Sequence, residues 1–309
     1  MSAPVMTSKP KQRRGDLVFS GAARTAGLLI LVALAGVAIF LTIEGAPAFT
    51  APPSALDGKT NFLAYVWPFV FGTLLAASIA LVIATPLALG VALVISHYAP
   101  RRLSKPLGYL IDLLAAVPSV VYGLWGIGFL GLQLVPVYEW LEQHAGWIPF
   151  FAGPASSSGR TILTAGIVLA IMILPIITAI TREIFAQTPT LQQEAALALG
   201  ATRWEMIRLA VLPYSKSGIV SAVMLGLGRA LGETMAVAMV LSASGVVTFN
   251  LIGTVNPTTI AANTVLQFPE STGLKVNALI ASGLVLFVIT FAVNFAARAI
   301  VARSEKGLK

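Results

Sequence analysis

Arg229 and Glu233 are the strongest candidates for a functional site, because these two charged residues lie four positions apart in a strongly apolar stretch. A charge in mid-membrane costs roughly 2.5–3.5 kcal/mol on insertion scales, so the guanidinium must face protein or water. The spacing places both side chains on one face of a helix, where they can pair. A planar guanidinium can also bind an oxyanion through two hydrogen bonds, with Glu233 competing for it. A buried ion pair that fixes helix packing and an anion pathway site both stay open.

A second group of residues predicts a bent helical connection. Helix-forming residues run from Leu191 to Leu199, and Gly200 can take the left-handed conformation that ends a helix. Thr202 can cap a second short amphipathic helix, which Pro213 is expected to end. By periodicity alone, this segment is a helical hairpin that joins two longer helices.

Membrane-spanning helices must position these residues. The chain has 309 residues, 57% hydrophobic and 10% charged, whereas a soluble domain has about 25% charged residues. The apolar runs are too long to alternate as barrel strands do, which predicts an all-α membrane protein. About six runs contain the roughly 20 residues that a crossing requires: Ala22–Ile43, Val66–Ile95, Leu107–Leu132, Thr161–Thr181, Gly218–Leu241 and Val276–Val301.

The distribution of Lys and Arg predicts the orientation of these spans. If the N-terminus is cytoplasmic, the opposite side carries only Lys59, Arg160 and Lys275, and nearly all other basic residues collect on the cytoplasmic side. Both termini are then cytoplasmic (N-in/C-in), which requires an even number of spans and agrees with six. The net charge of +8 is therefore a topology signal, and no nucleic-acid partner is expected.

This topology divides the chain into a membrane domain and two short tails. The membrane domain covers residues 22–301, between cytoplasmic tails at 1–21 and 302–309. Its long connections are a cytoplasmic coupling loop at 182–217 and external loops at 133–160 and 243–275.

Several kinds of site are absent from the sequence. There is no cysteine, which excludes disulfides and thiolate metal sites. Gly58–Thr60 looks like the end of a phosphate-binding loop, but Pro53 stands where its first glycine is needed. Asp112 is the other acid in a predicted span; reaching the membrane interface or pairing with Lys105 or a nearby Arg is favoured over a pathway role.

The bent connection resembles the EAA loop of ABC importer permeases, whose pattern is E-A-A-x3-G-x9-I-x-L-P. One position departs from it, because Ala210 stands where the pattern has Ile. In that family the loop forms a coupling helix that docks on a cytoplasmic ATPase subunit, and the resemblance implies the same role here. The matching residues are Glu194, Ala195, Ala196, Gly200, Leu212 and Pro213.

The segment around Arg229 extends this resemblance. Arg-Ala-Leu-Gly-Glu looks like the oxyanion branch of these permeases, and Gly228–Val237 and Leu114–Gly123 resemble the permease subunits of phosphate-specific importers, the PstC type. The resemblance covers nearly the whole chain and implies the ABC type I importer permease fold in a bacterial inner membrane. It also implies four partners: a second permease subunit, an ATPase dimer, an external phosphate-binding protein and inorganic phosphate.

The resemblance therefore predicts a multi-pass permease subunit whose phosphate pathway is lined by Arg229 and Glu233. ATP hydrolysis would belong to a partner, so no catalytic, cofactor or metal site is expected in this chain. A sulfate or molybdate permease is one rival, because the shorter Arg–Glu motif is shared. An ion-coupled secondary carrier is another, with Glu233 or Asp112 as its proton site. A membrane-embedded hydrolase would need a nucleophile and a base, which the sequence lacks.

Overall fold

The computed structural model describes residues 14–306, so parts of the two predicted tails lie outside the described residues. Regular structure within this range is helical, apart from two isolated β-bridges. Its helices are α1 (Arg14–Gly45), α2 (Phe62–Leu93), α3 (Arg101–Ala115), α4 (Ser119–Trp125), α5 (Gly131–Ala145), α6 (Ile162–Ala186), α7 (Thr190–Ala198), α8 (Arg203–Met206), α9 (Leu212–Leu231), α10 (Met235–Val240), α11 (Ile260–Gln267) and α12 (Leu274–Lys306).

Six helical segments within the described residues are long and apolar enough to cross a membrane, which confirms the predicted all-α architecture. Two of them combine shorter helices through π-helical turns, since Gly126–Leu130 joins α4 to α5 and Ile207–Val211 joins α8 to α9. The six segments are Val18–Thr50, Phe62–Tyr98, Ser119–Ala145, Ile162–Ala186, Arg203–Leu231 and Leu274–Ala299.

The third span differs from its predicted bounds of 107–132. α3 ends at Ala115, and Pro118 has an extended backbone (φ −59°, ψ 139°) before α4 begins. Proline has no N–H to continue a helical ladder, and it favours the first turn of a new helix instead. The crossing therefore starts at Ser119 and runs to Ala145, so the first part of the predicted loop at 133–160 is helical.

The fifth span also differs from its predicted bounds of 218–241. Pro213 does not end the helix that follows Thr202, because the chain stays helical from Arg203 through Leu231. The wider π-type turn at Ile207–Val211 ends two residues before Pro213, which lies in the first turn of α9, where its ring and missing N–H are tolerated. At its other end the helix breaks after Leu231, and a separate short helix, α10, follows.

Helices α2, α6 and α9 form the centre of the bundle and pack mainly through small side chains. One face of α2 presents alanines at one-turn intervals, none more than 1% exposed: Ala76, Ala80, Ala84 and Ala88. They contact the buried face of α6, which includes Ile173 and Ile177. Small side chains let helix backbones approach closely in a membrane, where van der Waals contact replaces the hydrophobic effect.

Helix α1 lies at the periphery against α12. None of its most apolar window is buried within the chain, which is typical of a helix surrounded by lipid or by another subunit. Its contact with α12 is close where Gly45 meets Ala281, and the Asn277 side chain donates a hydrogen bond of 2.6 Å to the Glu44 carbonyl. This contact fixes the end of α1 to the start of α12.

Residues 242–259 form an irregular segment, the cap segment, over the start of α6. Asn256 in this segment is fully buried. Its Oδ1 accepts a hydrogen bond from the Ile162 N–H at 2.9 Å, and its Nδ2 donates to the carbonyls of Arg160 and Gly253 at 3.1 and 3.2 Å. Irregular backbone is stable at this depth only when its polar groups are satisfied by protein.

The direction of α6 distinguishes the two ends of the bundle. The cap segment covers the first residue of α6, while α7 follows its last residue after a short turn. We call these the cap end and the corner end. The start of α1 and the end of α12 lie at the corner end, since Gly45 and Ala281 meet near the cap end. The predicted N-in/C-in orientation, with the corner end cytoplasmic, stays a prediction.

We predict that Gly72→Ala lowers the stability of the bundle. A Cβ at Gly72 in α2 would overlap the carbonyl oxygen of Thr258 in the cap segment, a backbone atom with little freedom to shift. Overpacking of this kind costs about 1–3 kcal/mol. Thermal unfolding of the purified protein in detergent should show a lower midpoint.

Gly90→Ala is the matched control, because it lies in the same helix and a Cβ there meets no atom within 4 Å. It should leave the midpoint unchanged or raise it, since alanine favours a helix more than glycine does. Equal midpoints for the two variants would contradict the close approach of Thr258 to α2.

Candidate functional site

Arg229 lies in the last turn of α9 with its side chain partly buried. Its Nε is inaccessible to solvent and has no hydrogen-bond partner, and no carboxylate within the described residues forms a salt bridge with its guanidinium. Tyr122 of α4 lies close enough to Arg229 to interact with its charge. A guanidinium at the end of a helix interacts favourably with the helix dipole, but its donors stay available for an anion.

Glu233 does not pair with Arg229. The helix ends at Leu231, so the two residues no longer follow one helical face. Glu233 is 8% exposed, and its Oε1 accepts a hydrogen bond of 3.1 Å from the Ala236 N–H. It thereby satisfies a free donor in the first turn of α10. Of the two alternatives that the spacing left open, the ion pair is not formed.

Helix α10 is held against α4 by close glycine contacts. A Cβ at Gly123 would lie 3.0 Å from the Ala236 Cα, and one at Gly126 would lie 2.8 Å from side-chain atoms of Val168 and Val240. α4 and α10 therefore pack backbone to backbone beside the point where α9 ends. Arg229 and Glu233 lie at the same break in the fifth span, on opposite sides of Gly232.

The corner between α7 and α8 has the predicted geometry. Gly200 has a φ of +85°, which is left-handed and strained for other residues. Thr202 then caps α8: its Oγ1 accepts from the Glu205 N–H at 3.3 Å, while the Glu205 carboxylate accepts from the Thr202 N–H at 2.8 Å. This reciprocal capping box fixes the direction in which α8 leaves the corner.

The six residues of the predicted coupling motif are divided between two places: Glu194, Ala195, Ala196 and Gly200 lie on α7 and at the corner, and Leu212 and Pro213 begin α9. Glu194, Ala195, Gly200 and Pro213 are exposed, whereas Ala196 and Leu212 pack on a small core formed by Ala92, Phe185, Met206, Ile207 and Val211. That core anchors the corner to the ends of α2 and α6.

Large apolar side chains project from the corner into the surroundings. Leu191 is 76% exposed, Leu199 90% and Trp204 54%. Apolar side chains grouped on the surface of one element are typical of a protein interaction site. The corner therefore has an exposed apolar surface.

The corner and Arg229 belong to one continuous helix. From Arg203 to Arg229 the chain is helical without interruption, a length of about 40 Å at ~1.5 Å per residue. One helical element of this length therefore joins the corner to the end of α9.

Asp112 has a structural partner. It is on α3, which is not one of the six segments long and apolar enough to cross a membrane, and its half-exposed carboxylate lies 3.5 Å from Nη2 of Arg182 at the end of α6. The predicted pairing with a nearby Arg is confirmed.

Sequence reasoning missed one group of polar residues at the cap end. Helix α11 lies within the region predicted as an external loop, and its Asn263 and Gln267 side chains are hydrogen-bonded to each other at 2.9 Å. Their spacing of four residues was the available signal, because it places both amides on one helix face.

Residues 84–307 match the protein family described as "Binding-protein-dependent transport system inner membrane component". The chain is 47% identical over 307 residues to the phosphate transport system permease protein PstC 2 of Mycobacterium tuberculosis, which covers 96% of this chain and 94% of that protein. It is 42% identical over 300 residues to PstC of Mycobacterium leprae, with 93% of each chain covered. The family resemblance predicted from the EAA-like corner and the Arg229 segment is confirmed.

Solved structures show the same fold. A chain of the MetNI methionine ABC transporter in an inward-facing conformation aligns with a TM-score of 0.50 at 17% identity, over 77% of this chain and 93% of that chain. A bacterial ABC transporter for the polysaccharide alginate aligns with a TM-score of 0.53 at 19% identity, over 93% and 97%. At this identity the likeness concerns the fold alone, and it confirms the predicted ABC importer permease architecture.

We predict that Glu233→Leu destabilises the break between α9 and α10, whereas Glu233→Gln does not. Leucine removes the acceptor of the Ala236 N–H, and a buried donor without a partner costs about 1–3 kcal/mol. Glutamine retains an oxygen at the same position. The thermal unfolding midpoint in detergent should be lower for the Leu variant than for the parent and the Gln variant, and a Leu variant as stable as the parent would contradict this capping role.

Proposed function

The chain belongs to the family of binding-protein-dependent transport system inner membrane components, and from that premise we propose that it is a permease subunit of an ATP-driven importer of inorganic phosphate. The observation that carries the proposal is the partly buried Arg229 guanidinium, whose Nε has no partner at the end of a spanning helix. The phosphate permeases to which the chain is similar over most of its length support this choice of anion.

Arg229 supplies the anion contact in this proposal. A guanidinium presents several donors in a plane and matches the oxygens of a tetrahedral oxyanion. Its charge costs free energy in the membrane when it is unpaired, so an anion that reaches it is favoured over water and lipid. Glu233 lies beside the pathway with one oxygen committed to α10, and its negative charge weakens the anion contact enough for release.

The corner formed by α7 and α8 receives the driving force. We assign Glu194, Ala195, Ala196, Gly200, Leu212 and Pro213 to the coupling element, which docks on a cytoplasmic ATPase through the exposed apolar side chains at the corner. The continuous helix from Arg203 to Leu231 then carries the movement to Arg229. This assignment requires the corner end to face the cytoplasm, in agreement with the distribution of Lys and Arg.

The complete importer in this proposal contains further chains. An ATPase dimer hydrolyses ATP, a second permease subunit completes the pathway, and an external phosphate-binding protein delivers the anion to the cap end. This chain contributes no catalytic group to ATP hydrolysis.

The direct test is transport by the reconstituted complex. Vesicles that contain this chain, the second permease and the ATPase dimer should accumulate labelled phosphate when the binding protein is added outside and ATP is enclosed at the ATPase side. Equal accumulation without nucleotide would overturn the proposal in favour of a secondary carrier. Accumulation of sulfate or molybdate in place of phosphate would assign a different anion.

For the anion contact, Arg229→Ala is expected to abolish ATP-driven phosphate uptake while the complex still assembles. Arg229→Lys keeps the charge but loses the planar set of donors, so it should restore little activity. Uptake is measured in the same vesicles, and assembly is checked by size-exclusion chromatography. Near-normal uptake by the Ala variant would leave Arg229 with a packing role only.

For the coupling element, Gly200→Asp is expected to prevent association with the ATPase without affecting membrane insertion. The substitution strains the left-handed backbone by about 1 kcal/mol and adds a negative charge to the exposed corner. Gly200→Asn is the matched control, because asparagine has the same shape and tolerates this conformation but carries no charge. Co-purification of the ATPase measures association.

The control separates the two causes. Loss of the ATPase with Asp but not with Asn assigns the effect to charge at the docking surface, and loss with both assigns it to the backbone of the corner. Normal co-purification with both variants would contradict the coupling role.

A further inference from the structure

A polar cavity of about 380 Å³ lies at the cap end of the bundle. Neither Arg229 nor any residue of the corner is among the residues that line it. The start of α2 forms one wall, α11 forms another, and the beginning of the cap segment lies across them. Ile260 is anchored here by a 3.0 Å hydrogen bond from its N–H to the buried Thr73 hydroxyl, which holds α11 against α2. The cavity walls are therefore fixed by the fold.

Four polar atoms in the walls of this cavity are buried without a hydrogen bond of ordinary geometry: Tyr65 Oη, Thr258 Oγ1, Asn263 Nδ2 and Gln267 Oε1. The Tyr65 hydroxyl and the Asn263 amide lie close enough to interact with each other, whereas Thr258 Oγ1 and Gln267 Oε1 have no neighbouring partner. Three of these residues are almost completely buried, with exposures of 2% for Tyr65, 3% for Thr258 and 4% for Asn263. Buried polar groups are nearly always hydrogen-bonded. Their convergence on one cavity points to a polar occupant.

The amides of Asn263 and Gln267 present both a donor and an acceptor. Gln267 Nε2 donates to Asn263 Oδ1 at 2.9 Å, which leaves the Gln267 carbonyl oxygen free. The Asn263 amide has two N–H donors, so one stays available even when the other interacts with the Tyr65 hydroxyl. If both amides are turned over, the pair still leaves one amide donor and one carbonyl acceptor. The Tyr65 and Thr258 hydroxyls add two further donors.

The charged side chains in the cavity wall indicate which kind of ligand the cavity can bind. Asp57 and Lys59 are the charged residues in the wall, and the Asp57 carboxylate is already paired with Lys275 Nζ at 2.9 Å. Lys59 forms no salt bridge within the described residues. An unpaired ammonium beside several neutral donors favours an anion with more than one oxygen.

We propose that this cavity is an antechamber that binds free inorganic phosphate before it reaches Arg229, an inference that rests on the proposed function. Lys59, Tyr65, Thr258 and Asn263 donate to the phosphate oxygens. The Gln267 carbonyl accepts from the O–H that phosphate retains at neutral pH. Sulfate has no proton at that pH and leaves this acceptor unsatisfied, so the cavity prefers phosphate.

The test measures equilibrium binding of labelled phosphate to the whole transporter in nanodiscs of phosphatidylcholine, without nucleotide or binding protein. An Arg229→Ala background removes the pathway contact, and phosphate should still bind. Adding Asn263→Asp, which places a second acceptor and a negative charge at the cavity, should weaken binding at least about tenfold. Adding Lys59→Gln should weaken it several-fold and reduce its dependence on salt.

Lys105→Gln is the matched control, because it makes the same change at the corner end, on α3. It should leave phosphate binding unchanged. A further variant, Gln267→Leu, removes the acceptor and should reduce the preference for phosphate over sulfate in competition.

Three outcomes would overturn the antechamber. The first is absence of phosphate binding in the Arg229→Ala background, and the second is that adding the Asn263 or Lys59 substitution leaves phosphate binding in that background unchanged. The third is that, when phosphatidic acid is added to the nanodiscs, the cavity binds only its phosphate monoester headgroup and no free phosphate. ATP-driven phosphate uptake by the parent complex tests the proposed function separately. A parent that transports phosphate but shows any of these outcomes loses the antechamber alone.

Discussion

The structure depends on how a charged side chain is accommodated inside a membrane-spanning bundle. Arg229 ends a long helix without a carboxylate partner, although Glu233 is close in sequence. An unpaired guanidinium in this setting has a high free energy. The surrounding helices must therefore be stable enough to hold it, and in the function that we propose its donors are kept for the transported anion.

The break after Leu231 is what separates the two charges. An unbroken helix would place Glu233 one turn above Arg229, where the carboxylate would neutralise the guanidinium. The break instead turns Glu233 toward the first N–H groups of α10. Glu233 thus stabilises the break in the helix, and Arg229 keeps its hydrogen-bond donors free. Satisfied backbone is also what permits the cap segment, where buried Asn256 serves three main-chain groups.

Much of this architecture could be predicted from the sequence, because lipid imposes a length on every span and the corner needs specific residues. Gly200 and Thr202 predicted the turn and the cap that the structure contains. Pro213 was misleading, since a proline normally ends a helix but is tolerated in the first turn of α9, after the π-turn. The start of the third span was missed because apolar residues cross Pro118 without a change of composition. The polar cluster near Asn263 depends on contacts between distant segments, which periodicity does not encode.

The alanines along α2 have a consequence for motion. Ala76, Ala80, Ala84 and Ala88 offer α6 a row of methyl groups. An alanine has no side-chain rotamer to exchange, so two helices in contact through such a row can slide by small amounts without the barrier of repacking longer side chains. On the α2 side of this contact a small shift therefore needs no change of rotamer, and only the α6 side chains that face the row, such as Ile173 and Ile177, would have to adjust.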